Sequence, residues 1–453
     1  MKIVIKDIEG YVPFFRLSGE EIRNQTGVRA PNEKAFCSYD EDPLTLSYEA
    51  SYKIVRKYSH YLKDKRLALI FVSSSFNHWL EKNPSVTLSR ALDLPISTAT
   101  ISISGGTESI VSAFEFAYSL LKSHLADCVL IATGERRRGA EWDIDFGLSD
   151  GGGAIFITPA SENEEGIFSV YDFFHISEET PSISSEDGKI LCVDERFIAT
   201  EVYSFLIKKV VLPDLKVVFS SPTFGIALQV MRTFKLKDDV FSAFGSFGNS
   251  QIPISLAYST GMLKKGDKLA VLGLGNGVKG VILTFEGNSS PHREIIKVFE
   301  RRKKMKFGDY MKVKDIVGFP EDESSISLLW REREQNLSFY GLKCSDCGNS
   351  IFPVQNYCQV CGGKNLSKEK MSREGEVFTF TEDYLTTYAD IFPPLPMLVV
   401  RTENGARVYV QGIELEDGER FSVGDKVELT LRILNVWKGF RNYFYKARKK
   451  REF

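Results

Sequence analysis

The sequence predicts an α/β protein that closes with a zinc ribbon and a small β-barrel. Three observations carry that expectation. Residues 1–285 alternate apolar strand-like runs with segments of helical period. Four cysteines form two Cys-x-x-Cys pairs between 344 and 361. Short β-rich segments punctuated by glycine follow them.

The strand-like runs lie at 67–72, 128–132, 153–157, 217–219, 269–272 and 280–285. Between them, 44–58 and 109–125 place apolar residues near the helical period. Strands alternating with helices define the α/β class. Cys128, inside an apolar run, is expected to be a buried thiol. The stretch Gly273-Leu-Gly275-Asn-Gly277-Val-Lys-Gly280 has the glycines of a dinucleotide fingerprint. That fingerprint needs a helix after the turn, and another strand follows here, so a hairpin is predicted.

With 453 residues the chain has room for two to four domains at roughly 100–200 residues each. Hydrophobic residues at 43% and charged residues at 26% are an ordinary globular balance and argue against disorder. A formal net charge of −2 gives no reason to expect a global nucleic-acid binder. The N-terminal residues read as a first strand and lack the apolar stretch of a signal peptide. No apolar run is long enough to span a membrane. A soluble, cytoplasmic protein without a membrane partner is expected.

Cys344, Cys347, Cys358 and Cys361 are the candidate metal ligands. Each Cys-x-x-Cys turn aims two sulfurs at one point, and two such turns supply four thiolates in a tetrahedron. Gly348 and Gly362 let the backbone fold over the metal. A redox dithiol and rubredoxin-like iron are the rival readings. Four thiolates leave no open position, so the Zn²⁺ is expected to be structural. The segments at 377–380, 398–402, 407–410 and 426–433, with Gly375, Gly405, Gly418 and Gly424 between them, suggest a small barrel of the OB type. Such barrels often bind single-stranded nucleic acid. The tail carries Lys438, Arg441, Lys446, Arg448, Lys449, Lys450 and Arg451, interleaved with Phe440, Tyr443, Phe444 and Tyr445. We read it as a terminal strand with a solvated basic end and expect no nucleic-acid partner.

Several stretches occur in an informative order. They are Gly10-Tyr-Val-Pro13, Glu33-Lys34 with Asp40-Glu-Asp42, Gly105-Gly-Thr107, Asp150-Gly-Gly-Gly-Ala154, Phe219-Ser-Ser-Pro222, Gly248-Asn249 and the closing Gly-rich hairpin. Together they resemble the thiolase superfamily, nearest to 3-hydroxy-3-methylglutaryl-CoA synthase and ketoacyl synthase III. Residues 299–315 resemble the basic tail of archaeal members. Residues 330–447 resemble the DUF35 group of zinc-ribbon/OB proteins, through Trp330-Arg-Glu-Arg333, the ribbon, Phe352-Pro353 and Gly375-Glu-Val-Phe-Thr-Phe380. The resemblance implies a layered α-β-α-β-α fold with halves at 1–160 and 161–317. A linker helix at 318–340, a ribbon at 341–372 and a barrel at 373–453 would follow.

The same resemblance implies a catalytic centre, and three of its positions are emptied. Ile103 stands where the nucleophilic cysteine is expected, two residues before Gly105-Gly-Thr107; Ser102 and Ser104 flank it. Ser220 stands at the histidine position and Ser75 at the general-acid glutamate. Asn249 alone persists, either as a thioester ligand or as a structural turn residue. His78 is a substitute base or a packed histidine. Glu108 is an acid/base group or a first-turn carboxylate favoured by the helix dipole. Glu135-Arg-Arg-Arg138 is a CoA-phosphate contact, a solvated loop or a dimer contact, and the basic run 301–306 is a CoA-phosphate contact or solvated surface. No CoA-binding residue is assigned.

Loss of a nucleophile costs orders of magnitude in rate, so ordinary synthase chemistry is not expected. The reading is an auxiliary, non-catalytic component of a thiolase complex that forms or cleaves C–C bonds of acyl-CoA thioesters. Its partners would be a catalytic thiolase subunit and a second copy of itself, with acyl-CoA as ligand. The alternatives are a cysteine-independent retro-aldolase or acyltransferase, with His78, Asn249 or a tyrosine as its residues, and an OB-fold nucleic-acid binder.

Overall fold

The computed structural model describes residues 2–76, 82–161, 164–180, 183–210, 215–316, 323, 325–385 and 393–451. The chain divides into two compact units, Met1–Ser89 with Pro95–Phe307, and Arg90–Leu94 with Gly308–Phe453.

The first unit is built on nine strands: β1 (Lys2–Tyr11), β2 (Leu67–Val72), β3 (Ala99–Ile103), β4 (Cys128–Glu135), β5 (Gly151–Ala160), β6 (Phe168–Ser177), β7 (Lys216–Ser220), β8 (Lys268–Gly275) and β9 (Gly277–Phe285). Their order across the sheet is β7-β8-β9-β6-β1-β5-β4-β2-β3. β2, β3 and β4 pair in parallel, as do β7 and β8. Parallel strands covered on both faces read as unbroken apolar runs. All six residues of β2 are buried, and so is Cys128, whose thiol burial pushes up to about 12. The Gly-rich stretch forms the predicted hairpin, with Gly275 opposite Gly277 in an antiparallel ladder.

The sheet is in effect two halves. β6 and β1 touch only through Val4 opposite Ser169 and Ile5 opposite Phe168. Helix α1 (Pro43–Lys57) packs on β5, β4 and β1. It starts on a reciprocal capping box in which Asp42 accepts from Thr45 N at 3.0 Å and Thr45 Oγ1 accepts from Asp42 N at 2.8 Å. Helix α2 (Ser109–Lys122) packs against β2 and β4 of one half and β8 and β9 of the other. Its buried face, Ile110, Val111, Ala113, Phe114, Ala117 and Leu121, follows the helical period. Helix α3 (Gln251–Ser259) packs on β1 and β5 and on β7. α2 and α3 therefore form the middle layer, and the layered α-β-α-β-α expectation is met. The run expected at 109–125 stops as a helix at Lys122, and His124 takes a left-handed φ of +57°.

In the second unit two short helices, Ile326–Arg331 and Arg333–Asn336, precede the ribbon. The Arg333 guanidinium stacks 3.8 Å over the Trp330 ring. The ribbon is β10 (Tyr340–Cys344), β11 (Ser350–Ile351) and β12 (Leu366–Lys370), in the order β11-β10-β12. Five antiparallel strands follow, β13 (Glu374–Asp383), β14 (Leu395–Thr402), β15 (Arg407–Gln411), β16 (Lys426–Trp437) and β17 (Phe440–Lys449), in the order β15-β14-β13-β16-β17. A parallel bridge between Gly412 and Ala447, with Ile413 N donating to Ala447 O at 2.8 Å, joins the first of these to the last. Joining them closes the small barrel. Alternate residues such as Leu398 and Val400 on β14, then Val408 and Val410 on β15, point into it and are buried.

The tail corrects one expectation. Its residues do form the terminal strand β17, but the basic end is not simply solvated. Lys446 and Arg448 are buried. Arg448 pairs with Glu428 at 2.5 Å, Lys449 with Asp425 at 2.9 Å and Arg451 with Glu419 at 2.7 Å. Tyr443 and Tyr445 are buried too. Tyr445 Oη donates to Leu337 O at 2.6 Å and accepts from Arg373 at 2.9 Å, which ties the helical lead-in to the barrel. Charge neutralised by carboxylates and aromatics turned inward leave little of a nucleic-acid footprint. Among the described residues, no helix is long and apolar enough to cross a membrane.

Candidate functional site

The first unit gathers its chemistry where several strands end. β4 finishes at Glu135, which is fully buried. A buried carboxylate needs donors around it, and five reach this one. Ser74 N and Oγ lie 2.9 and 3.0 Å from Oε1, and Ser75 Oγ lies 2.7 Å from Oε2. Asn249 donates to Oε1 through Nδ2 at 2.9 Å and through its backbone N at 3.2 Å. The other end of the Asn249 amide, Oδ1, accepts from Ile110 N at 3.0 Å. It thereby satisfies a first-turn N–H of α2 that the helix cannot satisfy itself. Asn249 is thus committed within the chain at both ends of its amide.

The emptied positions are equally engaged. Ile103 ends β3, gives its carbonyl to Ser73 N at 3.2 Å, and packs its partly buried side chain against the main core. Ser75 Oγ, besides donating to Glu135, accepts from Arg136 N at 2.8 Å. Ser220 Oγ donates to Thr107 O at 2.7 Å. Ser102 donates to Asn83 at 2.6 Å on the exposed side of its strand, and Ser104 is exposed. The structure brings Ser75 and Asn249 together on Glu135 and leaves Ile103 in hydrocarbon. His78 lies outside the described residues.

Glu135 and Arg137 are not solvated surface. Arg137 is buried, and donates to Ser246 Oγ at 2.7 Å and to Pro222 O at 2.8 Å. Burial lowers its guanidinium to about 10, against the opposing pull of Glu135 and Asp150. Its backbone N donates to Asp150 at 2.6 Å. The basic run 301–306 is likewise part of the fold. Lys303–Met305 pairs in parallel with Phe15–Ser18, and Arg302 lies 3.5 Å from Glu33.

Above this hub lies a cavity of about 240 Å³, lined by Ser75, Glu108, Arg138, Thr180, Ser184 and Ile190 among others. The last two belong to a hairpin, Ile183–Glu186 with Lys189–Cys192, that sequence reasoning missed. Its strands are only four residues each, Ile-Ser-Ser-Glu and Lys-Ile-Leu-Cys, too short to show an apolar periodicity. The hairpin is held by Ile190, whose N donates to Arg138 O at 2.8 Å and whose O accepts from Ala140 N at 2.9 Å. Glu108 precedes α2 without capping it. Its carboxylate occupies space left by glycines: a Cβ on Gly275 would fall 1.5 Å from Oε2, and one on Gly106 2.2 Å from it. Nothing in the local sequence around 108 signals that fit, because Gly275 lies on β8.

In the second unit, Cys344, Cys347, Cys358 and Cys361 bring their sulfurs within 4.8 Å of one another. Each turn is closed by a glycine N–H, Gly348 to Cys344 O and Gly362 to Cys358 O, both at 2.8 Å. These glycines take left-handed φ values of +75° and +74°, which side chains resist. A Zn²⁺ bound to four thiolates at about 2.3 Å spaces the sulfurs about 3.8 Å apart. Cys344 and Cys361 are 3.7 Å apart, and Cys347 and Cys358 are 3.6 Å apart. The donor set fits a closed, structural four-thiolate zinc site.

Comparison with known proteins agrees with both halves of this picture. Residues 331–367 match the family described as ChsH2, rubredoxin-like zinc ribbon domain. A DUF35 domain-containing scaffold protein of Methanothermobacter thermautotrophicus is 33% identical over 107 residues, 23% of this chain and 78% of that protein. Its counterpart in Pyrococcus furiosus is 29% identical over 126 residues, 27% of this chain and 91% of that protein. Benzoylsuccinyl-CoA thiolase subunit BbsA of Thauera aromatica is 28% identical over 91 residues, 20% of this chain and 61% of that subunit. A crystal structure of an HMG-CoA synthase complexed with CoA superposes with a TM-score of 0.58 at 15% identity, covering 71% of this chain and 92% of that one. OleA of Xanthomonas campestris superposes with a TM-score of 0.54 at 15% identity, covering 63% and 98%. At that identity the likeness establishes a thiolase-like fold and no more. Through its likeness to the Methanothermobacter protein, the chain belongs to the DUF35 domain-containing scaffold protein family.

Proposed function

We propose that this chain is an auxiliary component of a thiolase complex that forms or cleaves C–C bonds of acyl-CoA thioesters. In this reading its thiolase-like unit forms no acyl-enzyme. The observation that carries the proposal is Ile103, a hydrocarbon side chain packed against the core where the family's nucleophile would stand. Ser75 and Ser220, at the positions of the acid and the histidine, are held by internal hydrogen bonds. An intact scaffold around such a centre is what a subunit keeps when its partner performs the reaction. The thiolase-like unit pairs with a second copy of itself, and the ribbon and barrel dock the catalytic thiolase. Kinship with DUF35 scaffold proteins and with a subunit of a benzoylsuccinyl-CoA thiolase supports that assignment.

The test is purification of the chain from its native cells at low salt, with mass-spectrometric identification of what accompanies it. A thiolase in stoichiometric amount is expected. Recovery of the chain alone, under conditions that preserve other complexes, would refute the proposal.

A further inference from the structure

We propose that the cavity beside Glu108 binds the acyl end of a thioester bearing a hydroxyl group, and that Glu108 is the residue that selects it. The inference rests on the acyl-CoA reading above and deepens it. Oε2 of Glu108 is buried and has no hydrogen-bond partner among the described residues. The carboxylate lines the cavity. Gly106 and Gly275 leave room for the carboxylate as it stands, and a Cβ on Gly273 would lie 2.6 Å from the Glu108 Cα. Three glycines converging on one side chain mark a built feature.

Tyr203, Thr180, Ser74 and Ser75 spend their hydroxyls elsewhere. Tyr203 Oη donates to Gly275 O at 2.8 Å, Thr180 Oγ1 to Asn276 at 2.6 Å, and Ser74 and Ser75 to Glu135. An ionised carboxylate only accepts hydrogen bonds, so the ligand must bring the donor. At about 240 Å³ the cavity is smaller than a drug-sized site. It takes a short acyl chain and leaves the CoA moiety outside. A short hydroxyacyl group satisfies both constraints.

The experiment is calorimetric titration of the full chain with 3-hydroxybutyryl-CoA and with butyryl-CoA. A hydrogen bond to a charged acceptor predicts a preference of about 10- to 100-fold for the hydroxylated thioester. Glu108→Ala should abolish the preference. Glu108→Gln, which keeps the side chain's shape and guards against a folding defect, should reduce it. Equal affinity for both thioesters in the unmodified chain overturns the inference, as does a preference unchanged in both variants. Failure of either thioester to bind overturns the inference together with the acyl-CoA reading, whereas binding without preference overturns the inference alone.

Discussion

Removing the Glu135 carboxylate should unfold the centre of the thiolase-like unit, and the geometry sets the scale. In Glu135→Ala the hydroxyls of Ser74 and Ser75 can rotate toward other acceptors. Of the N–H donors, Asn249 N and Asn249 Nδ2 are buried and cannot, whereas Ser74 is exposed and its N–H can turn to water. Each buried donor left without an acceptor costs about 1–3 kcal/mol. The two together reach roughly 2–6 kcal/mol, a large part of the roughly 5–15 kcal/mol that holds a domain together. Relief of the carboxylate's own desolvation offsets part of this. Glu135→Gln keeps the volume and one acceptor, so its cost should stay near 1–3 kcal/mol. Because Asn249 links the hub to α2 through Ile110 N, the loss should appear in the helix as well as in the loop. Hydrogen exchange by mass spectrometry on peptides covering 104–122 and 246–259 reads both. Exchange protection in Glu135→Ala within about 0.5 kcal/mol of the unmodified chain would refute the hub, since surface-like substitutions fall in that range.

Three further outcomes follow from the same geometry. Chelation of zinc, or Cys344→Ser, should expose the ribbon at 340–370 to exchange and abolish thiolase docking, because a structural zinc contributes about 10–16 kcal/mol to such a fold; docking that survives metal removal contradicts the role. Ile103→Cys should stay unacylated when incubated with acetyl-CoA and read by intact mass, at a stability cost of about 1–2 kcal/mol, and stoichiometric acylation would show the centre to be competent. Asp238 caps Asp239–Phe244 by accepting from Val240 N at 2.9 Å and Phe241 N at 3.1 Å, and burial raises its carboxyl from 3.8 to about 6. The folded state holds that proton more tightly than the unfolded chain. This contribution is therefore full below pH 4 and lost as pH rises through about 6, on the order of 3 kcal/mol. Comparing thermal unfolding at both ends of that window should show a slope that Asp238→Asn diminishes; an identical slope in the variant would rule out Asp238 as its source.

What was legible in the sequence follows the physics of burial. Strands covered on both faces, such as Leu67–Val72, are written as continuous apolar runs and were found where expected. The Cys-x-x-Cys pairs were equally plain, because thiolate geometry demands that spacing. The hairpin at Ile183–Glu186 and Lys189–Cys192 was not legible, since strands of four residues are too short to carry an apolar pattern. The candidate site was read only in outline. Ile103, Ser75, Ser220 and Asn249 were picked out by their place in motifs, but their partners come from distant segments. Glu135 looked like the start of a charged surface loop, because three arginines follow it. Its burial depends on Asn249, more than a hundred residues away. The room for Glu108 depends on glycines of a strand that no local window contains.

The central claim, that this chain serves a thiolase reaction without performing it, is tested most directly by thiolysis of a 3-oxoacyl-CoA. The purified chain should be assayed beside the complex isolated from its native cells, at equal subunit concentration. The account predicts turnover by the complex and none above the uncatalysed background by the chain alone. Turnover by the chain alone at the rate of the complex would contradict it.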